Sequence, residues 1–361
     1  MTVMQVVPRL NVGGVERGTV EFANYLKQQG HRSIVVSRGG ELVKQLSNAG
    51  VEHIELEVAA KSLKTLKTIS LLRKVIEQYQ VDVIHARSRI PAWLCLHALR
   101  KIQSKPLFVT TLHGLHSVNR YSSVMARGDR VIAVSEVAKT YLLTHFKKYL
   151  KRQPIVIHRG VDSQFNQQHQ INQPWLEQVE AKFPNYSNVN KVLLPGRLSA
   201  VKGVEQVLPW LQQAKEDVKL VLTADINQSN YSKKIAQQLN KLNIEHKVIW
   251  LGTIANMPDL YASVDLVISV NNKPESFGRT VLEALSMGKP VVAYDLGGVG
   301  ELMQQLFPSG LIKAGDKIAL QNTINQFLQY PPKVTVQHNF HNKVMFEKTL
   351  GVYQQGLAAI S

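Results

Sequence analysis

The sequence predicts an α/β protein made of two doubly wound parallel sheets, and three observations lead to that fold class. The chain has 361 residues, a length that favours two domains over one. Short runs rich in β-branched residues alternate with amphipathic helical patterns, which is typical of βαβ units in a parallel sheet. The alternation breaks off in residues 163–188, which are rich in Gln and Asn, and then starts again.

The predicted elements follow in order along the chain. The first half has strands at Met4–Val7, Ser33–Val36, Val81–His85, Leu107–Thr111 and Val131–Val134, with helical stretches such as Gly18–Gln29 and Ser62–Tyr79 between them. The second half has strands at Lys191–Leu194, Val218–Leu222, His246–Leu251, Leu266–Val270 and Pro290–Ala293. We therefore expect an N-terminal domain over residues 1–165 and a C-terminal domain over residues 166–340. A helix in residues 341–361 is expected to pack back on the N-terminal domain, and the two sheets are expected to face a ligand-binding cleft.

The composition limits the class of protein and its surroundings. A single cysteine, Cys95, rules out an intramolecular disulfide framework and fits a reducing cytoplasm. No run of about 18 apolar residues indicates a transmembrane helix, and Val3–Val7 is expected to be a strand rather than part of a secretory signal.

The net charge of +17 is concentrated in the first part of the chain. Residues 1–165 contain 25 Lys and Arg against 11 Asp and Glu, whereas the remaining residues contain 18 against 15. A basic surface of this kind indicates an anionic partner, which can be a phospholipid, an acidic or phosphorylated acceptor, or nucleic acid. A generally solubilising surface is the alternative.

Two cations follow the first strand of the second half. Arg197 and Lys202 lie next to Gly196 and Gly203 and precede an amphipathic helical pattern over Val204–Ala214. Cations near a helix N-terminus suit a diphosphate, and glycine lets the backbone approach a ligand closely. Ordinary solvated charges are the alternative explanation.

Two carboxylates flank a second turn. Glu275 lies in the loop that follows the strand Leu266–Val270, and Glu283 lies in the helix that is predicted after Gly278. A carboxylate accepts hydrogen bonds from vicinal hydroxyls, as in the recognition of a ribose diol. Two carboxylates with a helix N-terminus between them can therefore hold an extended sugar nucleotide.

The ordered set of motifs resembles the retaining GT-B glycosyltransferases of family GT4, which include bacterial lipopolysaccharide-core and phosphatidylinositol mannosyltransferases. The resemblance covers essentially the whole chain. Its motifs are Gly13-Gly14, Gly196-Arg197-Leu198 with Lys202-Gly203, Leu251-Gly252, Tyr261–Asp265, Pro274–Gly278 with Glu283-Ala284, Gly288–Ala293, and Gly297-Gly298 with Glu301.

The resemblance implies roles for particular residues. Arg197 and Lys202 would hold the donor diphosphate and stabilise the leaving nucleotide, while Glu275 would contact the donor sugar. The other donor-binding residues implied are Gly13, Gly14, Ser276, Phe277, Gly278, Thr280, Val281 and Glu283, the last of which would bind the ribose. Such enzymes use no cofactor or metal, because the cations supply the charge stabilisation, and the sequence has no Asp-x-Asp motif.

The first half offers a candidate catalytic residue and a candidate acceptor site. His113, after the strand Leu107–Thr111, is interpreted as a residue that positions the sugar, although a structural histidine is the more common finding at such a place. His85, Arg87 and Arg89 are interpreted as an acceptor-binding cluster, since Arg binds carboxylates and phosphates in a bidentate manner.

Two basic segments predict association with a membrane surface. Lys61, Lys64, Lys67, Arg73 and Lys74 are interleaved with Leu63, Leu66, Ile69 and Leu72, and the second segment, Tyr141–Arg152, combines Tyr141, Phe146 and Tyr149 with Lys147, Lys148, Lys151 and Arg152. Basic helices with apolar faces bind anionic bilayers, although a helix packed on a sheet with a basic outer face is the alternative.

Together these features predict a metal-independent, retaining hexosyltransferase. It would use a nucleotide diphosphate-sugar and an anionic glycolipid acceptor at the inner face of the cytoplasmic membrane, in lipopolysaccharide-core or cell-envelope biosynthesis. The alternatives are a transferase with a soluble acceptor, a nucleotide-sugar epimerase, and a non-enzymatic protein that binds nucleotide sugars or nucleic acid. The sequence contains no motif for nucleic-acid recognition, so nucleic acid is not expected as a partner.

Overall fold

The computed structural model describes residues 1–11, 13–60, 65–335 and 338–359, without the side chains of residues 65 and 66. Lys61, Leu63 and Lys64 of the first predicted basic segment lie outside this part of the chain, and nothing is described of the Leu66 side chain. The chain divides into a first unit, residues 1–158 with 343–361, and a second unit, residues 159–342.

The first unit is built on a seven-stranded parallel sheet with the order β3-β2-β1-β4-β5-β6-β7. Its strands are β1 Thr2–Val6, β2 Arg32–Ser37, β3 Glu52–Glu55, β4 Val83–Ala86, β5 Leu107–Leu112, β6 Arg130–Ala133 and β7 Ile155–Val156. Its helices include α1 Gly14–Gln28, α2 Val43–Asn48, α3 Thr65–Gln78, α4 Arg89–Leu99 and α5 Glu136–Phe146. Central strands such as β4 and β5 are buried throughout, as expected of a parallel sheet covered on both faces.

The second unit is built on a six-stranded parallel sheet with the order β10-β9-β8-β11-β12-β13. Its strands are β8 Asn190–Leu194, β9 Val218–Leu222, β10 Val248–Trp250, β11 Leu266–Ser269, β12 Val291–Asp295 and β13 Leu311–Lys313. Its helices include α6 Gln173–Lys182, α7 Leu208–Gln213, α8 Asn230–Lys241, α9 Met257–Ser263, α10 Arg279–Ser286, α11 Gly297–Leu306 and α12 Lys317–Gln329. In this sheet β8 lies between β9 and β11, so the sheet order switches at the strand that carries the Gly196–Gly203 motif.

The C-terminal helix α13, Asn342–Ala358, packs on the first unit. Phe346 and Tyr353 join a buried cluster with Phe22 of α1 and with Leu107 of β5. The fit is close at Gly356, because a Cβ atom there would lie 2.4 Å from a methyl carbon of Leu107. A side chain at this position would therefore push the helix away from the sheet.

The boundary between the units lies a few residues before the predicted one. Gly160 approaches the backbone of Asn342 closely, and Val161 forms a parallel bridge with His341. These contacts place residues 159–165 in the second unit, whereas the sequence assigns them to the first domain. The strands β3, β7 and β13 have two to four residues each and are absent from the prediction.

Candidate functional site

The two motifs of the second unit lie side by side at the carboxyl ends of β8 and β11. The backbone N–H of Asn272 donates to the carbonyl of Val201 at 2.8 Å, and its side-chain amide donates to the carbonyl of Ala200, also at 2.8 Å. Gly203 has a φ of +69°, and a Cβ atom there would lie 2.2 Å from the carbonyl oxygen of Val270. The glycine is therefore required both for the left-handed turn and for the close approach of the two loops.

This approach forms an ion pair between two of the predicted catalytic residues. Lys202 Nζ lies 2.8 Å from Glu275 Oε1, and both side chains are about one quarter exposed or less. The backbone of Gly196 is held from the next strand, since Thr223 Oγ1 accepts from its N–H at 2.9 Å and donates to its carbonyl at 3.1 Å. Arg197 is exposed and makes no ion pair among the residues that the structure describes.

The Glu275 loop is fixed by the glycines that begin α11. Gly298 N–H donates to the carbonyl of Glu275 at 2.7 Å, and a Cβ atom on Gly298 would lie 2.5 Å from the backbone of both Ser276 and Phe277. Ser276 and Phe277 are both buried, so they shape the loop from within. Gly278 ends the loop with a φ of +99° and begins α10.

Arg279 and Tyr261 both hold the second carboxylate, Glu283. Arg279 Nε donates to Glu283 Oε1 at 2.8 Å, one helical turn earlier, and Tyr261 donates its hydroxyl to Glu283 Oε2 at 3.0 Å. Tyr261 is fully buried, and burial together with the Glu283 charge raises its pKa well above its usual value, so the phenol remains a donor. These contacts fix the plane of the Glu283 carboxylate.

The N-terminus of α10 differs in one respect from the implied phosphate site. Val281 N–H donates to the carbonyl of Gly278 at 3.1 Å, within the first turn of the helix. This local bond competes with the phosphate contact implied for Val281. Thr280 has its carbonyl within 3.2 Å of the Tyr261 hydroxyl, which ties the same turn to α9.

Tyr261, Arg279, Thr223 and Asn272 are the supporting residues that the sequence interpretation missed. The spacing of Arg279 and Glu283, one turn apart on a predicted helix, indicates an ion pair and could have identified Arg279. Tyr261 stands in the Tyr261–Asp265 motif, but its contact with Glu283 joins two distant parts of the chain and has no local pattern.

In the first unit, the donor-binding glycines stand where α1 begins. Gly13 is extended and precedes the helix, and Gly14 is its first residue. His113 directly follows β5 and is half-buried. These positions lie at the carboxyl ends of β1 and β5, as the sequence predicts, and the roles of the three residues stay predictions.

The structure corrects the proposed role of His85. This residue is 1% exposed, with Nδ1 2.6 Å from the Tyr353 hydroxyl and Nε2 2.6 Å from Thr111 Oγ1. Both ring nitrogens are therefore used inside the first unit, and His85 does not offer them to an acceptor. Burial, with the neighbouring Arg87, lowers its pKa well below its usual value, so the ring is neutral.

The two arginines of the same cluster differ from His85 and from each other. Arg89 is half-buried, and its Nη1 donates to Ser122 Oγ at 3.3 Å. Its guanidinium lies over the Tyr121 ring. Arg87 is buried at the carboxyl end of β4 and donates through Nε to Gln5 Oε1 at 2.9 Å. Neither arginine forms an ion pair among the residues described.

Some of the apolar side chains of the basic segments lie inside the protein instead of at the predicted lipid-facing surface. Phe146 and Leu72 are buried, and Tyr141 donates its hydroxyl to the carbonyl of His116. The four basic residues of the second segment, Lys147, Lys148, Lys151 and Arg152, are all exposed, as are Thr144 and His145. Phe146 and Leu72 therefore pack inward, whereas the exposed basic side chains of Tyr141–Arg152 are available for an anionic surface.

Neither a membrane-spanning helix nor a metal-binding cluster is found among the described residues. Across residues 1–11, 13–60, 65–335 and 338–359, no helix has the length and apolar character needed to cross a membrane. In the same part of the chain, no group of three or more His, Cys, Asp or Glu side chains could hold a metal ion.

Comparisons with known proteins identify the class. The family model described as Glycosyltransferase Family 4 matches residues 12–165, and that described as Glycosyl transferases group 1 matches residues 177–343. A glycosyltransferase from Rickettsia africae ESF-5 is 32% identical, covers 99% of this chain and 98% of its own, and has a TM-score of 0.86. The chain therefore belongs to the GT4-type glycosyltransferases with the GT-B fold, and it is an enzyme of the glycosyltransferase class.

Other similar proteins differ in what their names specify. Anabaena Alr3699/HepE, solved in complex with UDP and glucose, has a TM-score of 0.80 at 23% identity and covers 98% of this chain and all of its own. The N-acetyl-alpha-D-glucosaminyl L-malate synthase of Bacillus anthracis is 25% identical over 88% of this chain and 85% of its own length. The alpha-monoglucosyldiacylglycerol synthase of Streptococcus pneumoniae is 27% identical over 61% of this chain and 53% of its own length.

Proposed function

We propose that this glycosyltransferase moves a hexose-type sugar from a nucleotide diphosphate-sugar to an anionic glycolipid, with retention of anomeric configuration. The observation that carries the proposal is the Lys202–Glu275 ion pair beside Glu283 and its donors. Lys202 with Arg197 supplies positive charge for a diphosphate, Glu275 accepts from sugar hydroxyls, and Glu283 accepts from a ribose diol. The complex of Alr3699/HepE with UDP and glucose supports this class of donor.

The chemistry follows from where charge develops. As the glycosidic bond to the donor diphosphate breaks, negative charge grows on the leaving phosphate, and fixed cations at that point lower the barrier. Glu275 then orients the sugar while His113 positions its reacting face. In this proposal the acceptor oxygen bonds to the anomeric carbon as the phosphate leaves, and the leaving phosphate accepts the acceptor proton, so no nucleophilic side chain is needed. Arg197 and Lys202 would supply the positive charge that a metal ion gives elsewhere.

The glycolipid acceptor is the finer part of the proposal. Its support is the basic first part of the chain, the exposed lysines of Tyr141–Arg152, and the name of the diacylglycerol-sugar synthase among the relatives. An acceptor of the lipopolysaccharide core or another cell-envelope lipid fits this charge. Such an enzyme would act from the cytoplasm at the inner face of the membrane, as a peripheral protein.

A soluble carboxylate acceptor is the second candidate, and one specific observation favours it. A relative that covers 88% of this chain, the Bacillus anthracis N-acetyl-alpha-D-glucosaminyl L-malate synthase, has a name that includes L-malate, a soluble dicarboxylate. Both candidates share an anionic acceptor, and they differ in whether the enzyme needs a membrane.

One experiment tests the donor and the acceptor in turn. A panel of nucleotide diphosphate-sugars, with an oligonucleotide beside them, is screened by thermal shift with the purified full chain, with and without EDTA. The donor that stabilises the protein is then incubated with glycolipid extract or with L-malate, and products are identified by mass spectrometry. Stabilisation by one donor and mass transfer to lipid, unchanged by EDTA, is the expected result; transfer to malate alone would replace the glycolipid proposal, and stabilisation only by an oligonucleotide would overturn both.

A further inference from the structure

Arg87 of the first unit is a buried cation at the carboxyl end of the sheet. It follows β4 directly, is 8% exposed, and its guanidinium carbon lies 5.5 Å from the centre of the Phe22 ring. Its neighbour on the adjacent strand is Gln5, whose Cα pairs with that of His85 in the β1–β4 register. The end of β4 is therefore lined by polar side chains on the face that α1 covers.

Most of the hydrogen-bonding capacity of Arg87 is not used by the described residues. Nε donates to Gln5 Oε1 at 2.9 Å, while Nη1 and Nη2 make no hydrogen bond and no ion pair within the described ranges. A guanidinium has five N–H donors, and buried arginines are normally paired with carboxylates. Burial lowers the pKa of Arg87, as expected of a cation without a counter-ion.

The neighbouring ionisable groups do not neutralise this charge. His85 is neutral, because burial and the nearby guanidinium lower its pKa well below the usual value. The Tyr353 phenol is also neutral, since burial raises its pKa. Desolvation of an unpaired buried charge destabilises the folded protein, so an anion that binds here recovers part of that cost.

The residues around Arg87 hold the guanidinium in a fixed position. Gln5 is fully buried and its amide nitrogen donates to the carbonyl of Thr19 at 3.1 Å, which turns its oxygen toward Arg87. Phe22 is 1% exposed and packs in the core cluster that contains Tyr353. A guanidinium fixed through Nε keeps its other four N–H donors available as a planar fork for an oxyanion.

We infer that Arg87 is an anion-binding residue that anchors the carboxylate or phosphate of the acceptor through Nη1 and Nη2. The inference rests on the proposed function, because it takes the anion to belong to the acceptor. Under this inference Arg87 contacts the anion directly, whereas His85 is a buried residue of the surrounding structure. The acceptor would then need its charged group in order to bind.

The sharpest test supplies the missing counter-ion from within the protein. The Gln5→Glu substitution is nearly isosteric and places a carboxylate against Arg87 Nε. The substitution removes the hydrogen bond from the Gln5 amide to the Thr19 carbonyl. The new carboxylate should pair with Arg87 and compete with an external anion. Inorganic phosphate and malonate are titrated separately into the full chain at low ionic strength by calorimetry, so that the two chemical sources of an oxyanion are distinguished.

The expected result is that the wild-type chain binds at least one of the two anions and that Gln5→Glu weakens this binding at least about tenfold. Arg87→Lys keeps the charge but loses the fork, so it should bind the anion more weakly than the wild type. Arg38→Gln is the matched control, since Arg38 is half-exposed and pairs with Glu57. Lys202→Ala is the second control, and it should retain binding that depends on Arg87.

Each outcome decides between the two proposals. Thermal stability and donor binding of the Gln5→Glu chain are measured together, so that a folding defect is separated from loss of the anion site. Wild-type chain that binds a nucleotide sugar but neither anion, or anion binding that is unchanged in a folded Gln5→Glu chain, would overturn the role of Arg87. Anion binding that depends on Arg87 in a chain that binds no nucleotide sugar would instead overturn the proposed function.

Discussion

The two units differ in how many of their functional cations are paired with a carboxylate. In the second unit, Lys202 pairs with Glu275, and Arg279 pairs with Glu283. In the first unit, Arg87 and Arg89 stand at the end of β4 with no carboxylate partner among the described residues. In the second unit, Lys202 would therefore have to exchange its partner when a diphosphate binds, while Arg197 makes no ion pair among the described residues. In the first unit, neither arginine at the end of β4 has a carboxylate to give up before it meets an anion.

The largest effect is expected when Lys202, the paired cation of the second unit, is removed. We expect Lys202→Ala to lower kcat/KM by about 10²–10³, because a fixed charge at the leaving phosphate is lost and Glu275 loses its partner. Steady-state kinetics with the donor found in the panel measures this effect. Lys202→Arg should retain part of the activity, and full activity of the alanine variant would remove Lys202 from the mechanism.

In the first unit, His113→Ala is expected to lower turnover by about 10², because a misplaced sugar reacts slowly. Donor affinity should change far less, since the diphosphate contacts are assigned to the second unit. Turnover and the donor dissociation constant are measured on the same preparation. Unchanged turnover would exclude His113 from the site.

Backbone packing under Glu275 gives a third test. Gly298→Ala places a Cβ atom 2.5 Å from the Ser276 and Phe277 backbone, so the loop must shift. We expect a loss of about 1–3 kcal/mol in the free energy of unfolding, together with weaker donor binding. Gly351→Ala in α13 is the matched control, because nothing lies within 4 Å of its Cβ position and alanine favours a helix. Equal effects of the two substitutions in denaturant titrations would contradict the loop packing.

Tyr261 should position Glu283 rather than contact the donor. Tyr261→Phe removes one hydrogen bond to a charged group, and we expect donor affinity to fall about tenfold with little change in kcat. A donor that lacks a ribose hydroxyl should lose less affinity in this variant than in the wild type, because the carboxylate is already misplaced. The same loss for both proteins would show that Tyr261 has only a structural role.

The smallest expected effect concerns the membrane. Lys148 is exposed on the basic segment, and a lysine near an anionic bilayer contributes about 1 kcal/mol. Lys148→Gln should therefore reduce vesicle binding about fivefold in flotation with anionic lipid, and high salt should reduce it further. Binding that is equal on neutral vesicles would contradict an electrostatic mode.

The fold class and the donor motifs could be predicted because their signals are local. Alternating strand and helix patterns identify both sheets. Gly196, Gly203 and Gly278 mark the loops of the donor motifs. The burial and hydrogen bonding of His85 could not be predicted, because they depend on Tyr353, 268 residues later in the sequence. The supporting contact of Tyr261 with Glu283 is likewise a tertiary one. The apolar residues of Tyr141–Arg152 have the same pattern on a lipid-facing helix and on a helix packed against a sheet, so the pattern alone could not separate the two.

The most direct test of the central claim is a calorimetric titration of the nucleotide diphosphate-sugar panel into wild-type and Lys202→Ala chains. We predict that at least one donor binds the wild-type chain and that the same donor binds the variant much more weakly, with folding intact by circular dichroism. A donor that binds both proteins equally, or a panel in which no nucleotide sugar binds the wild-type chain, would contradict the assignment of the second unit as the donor site.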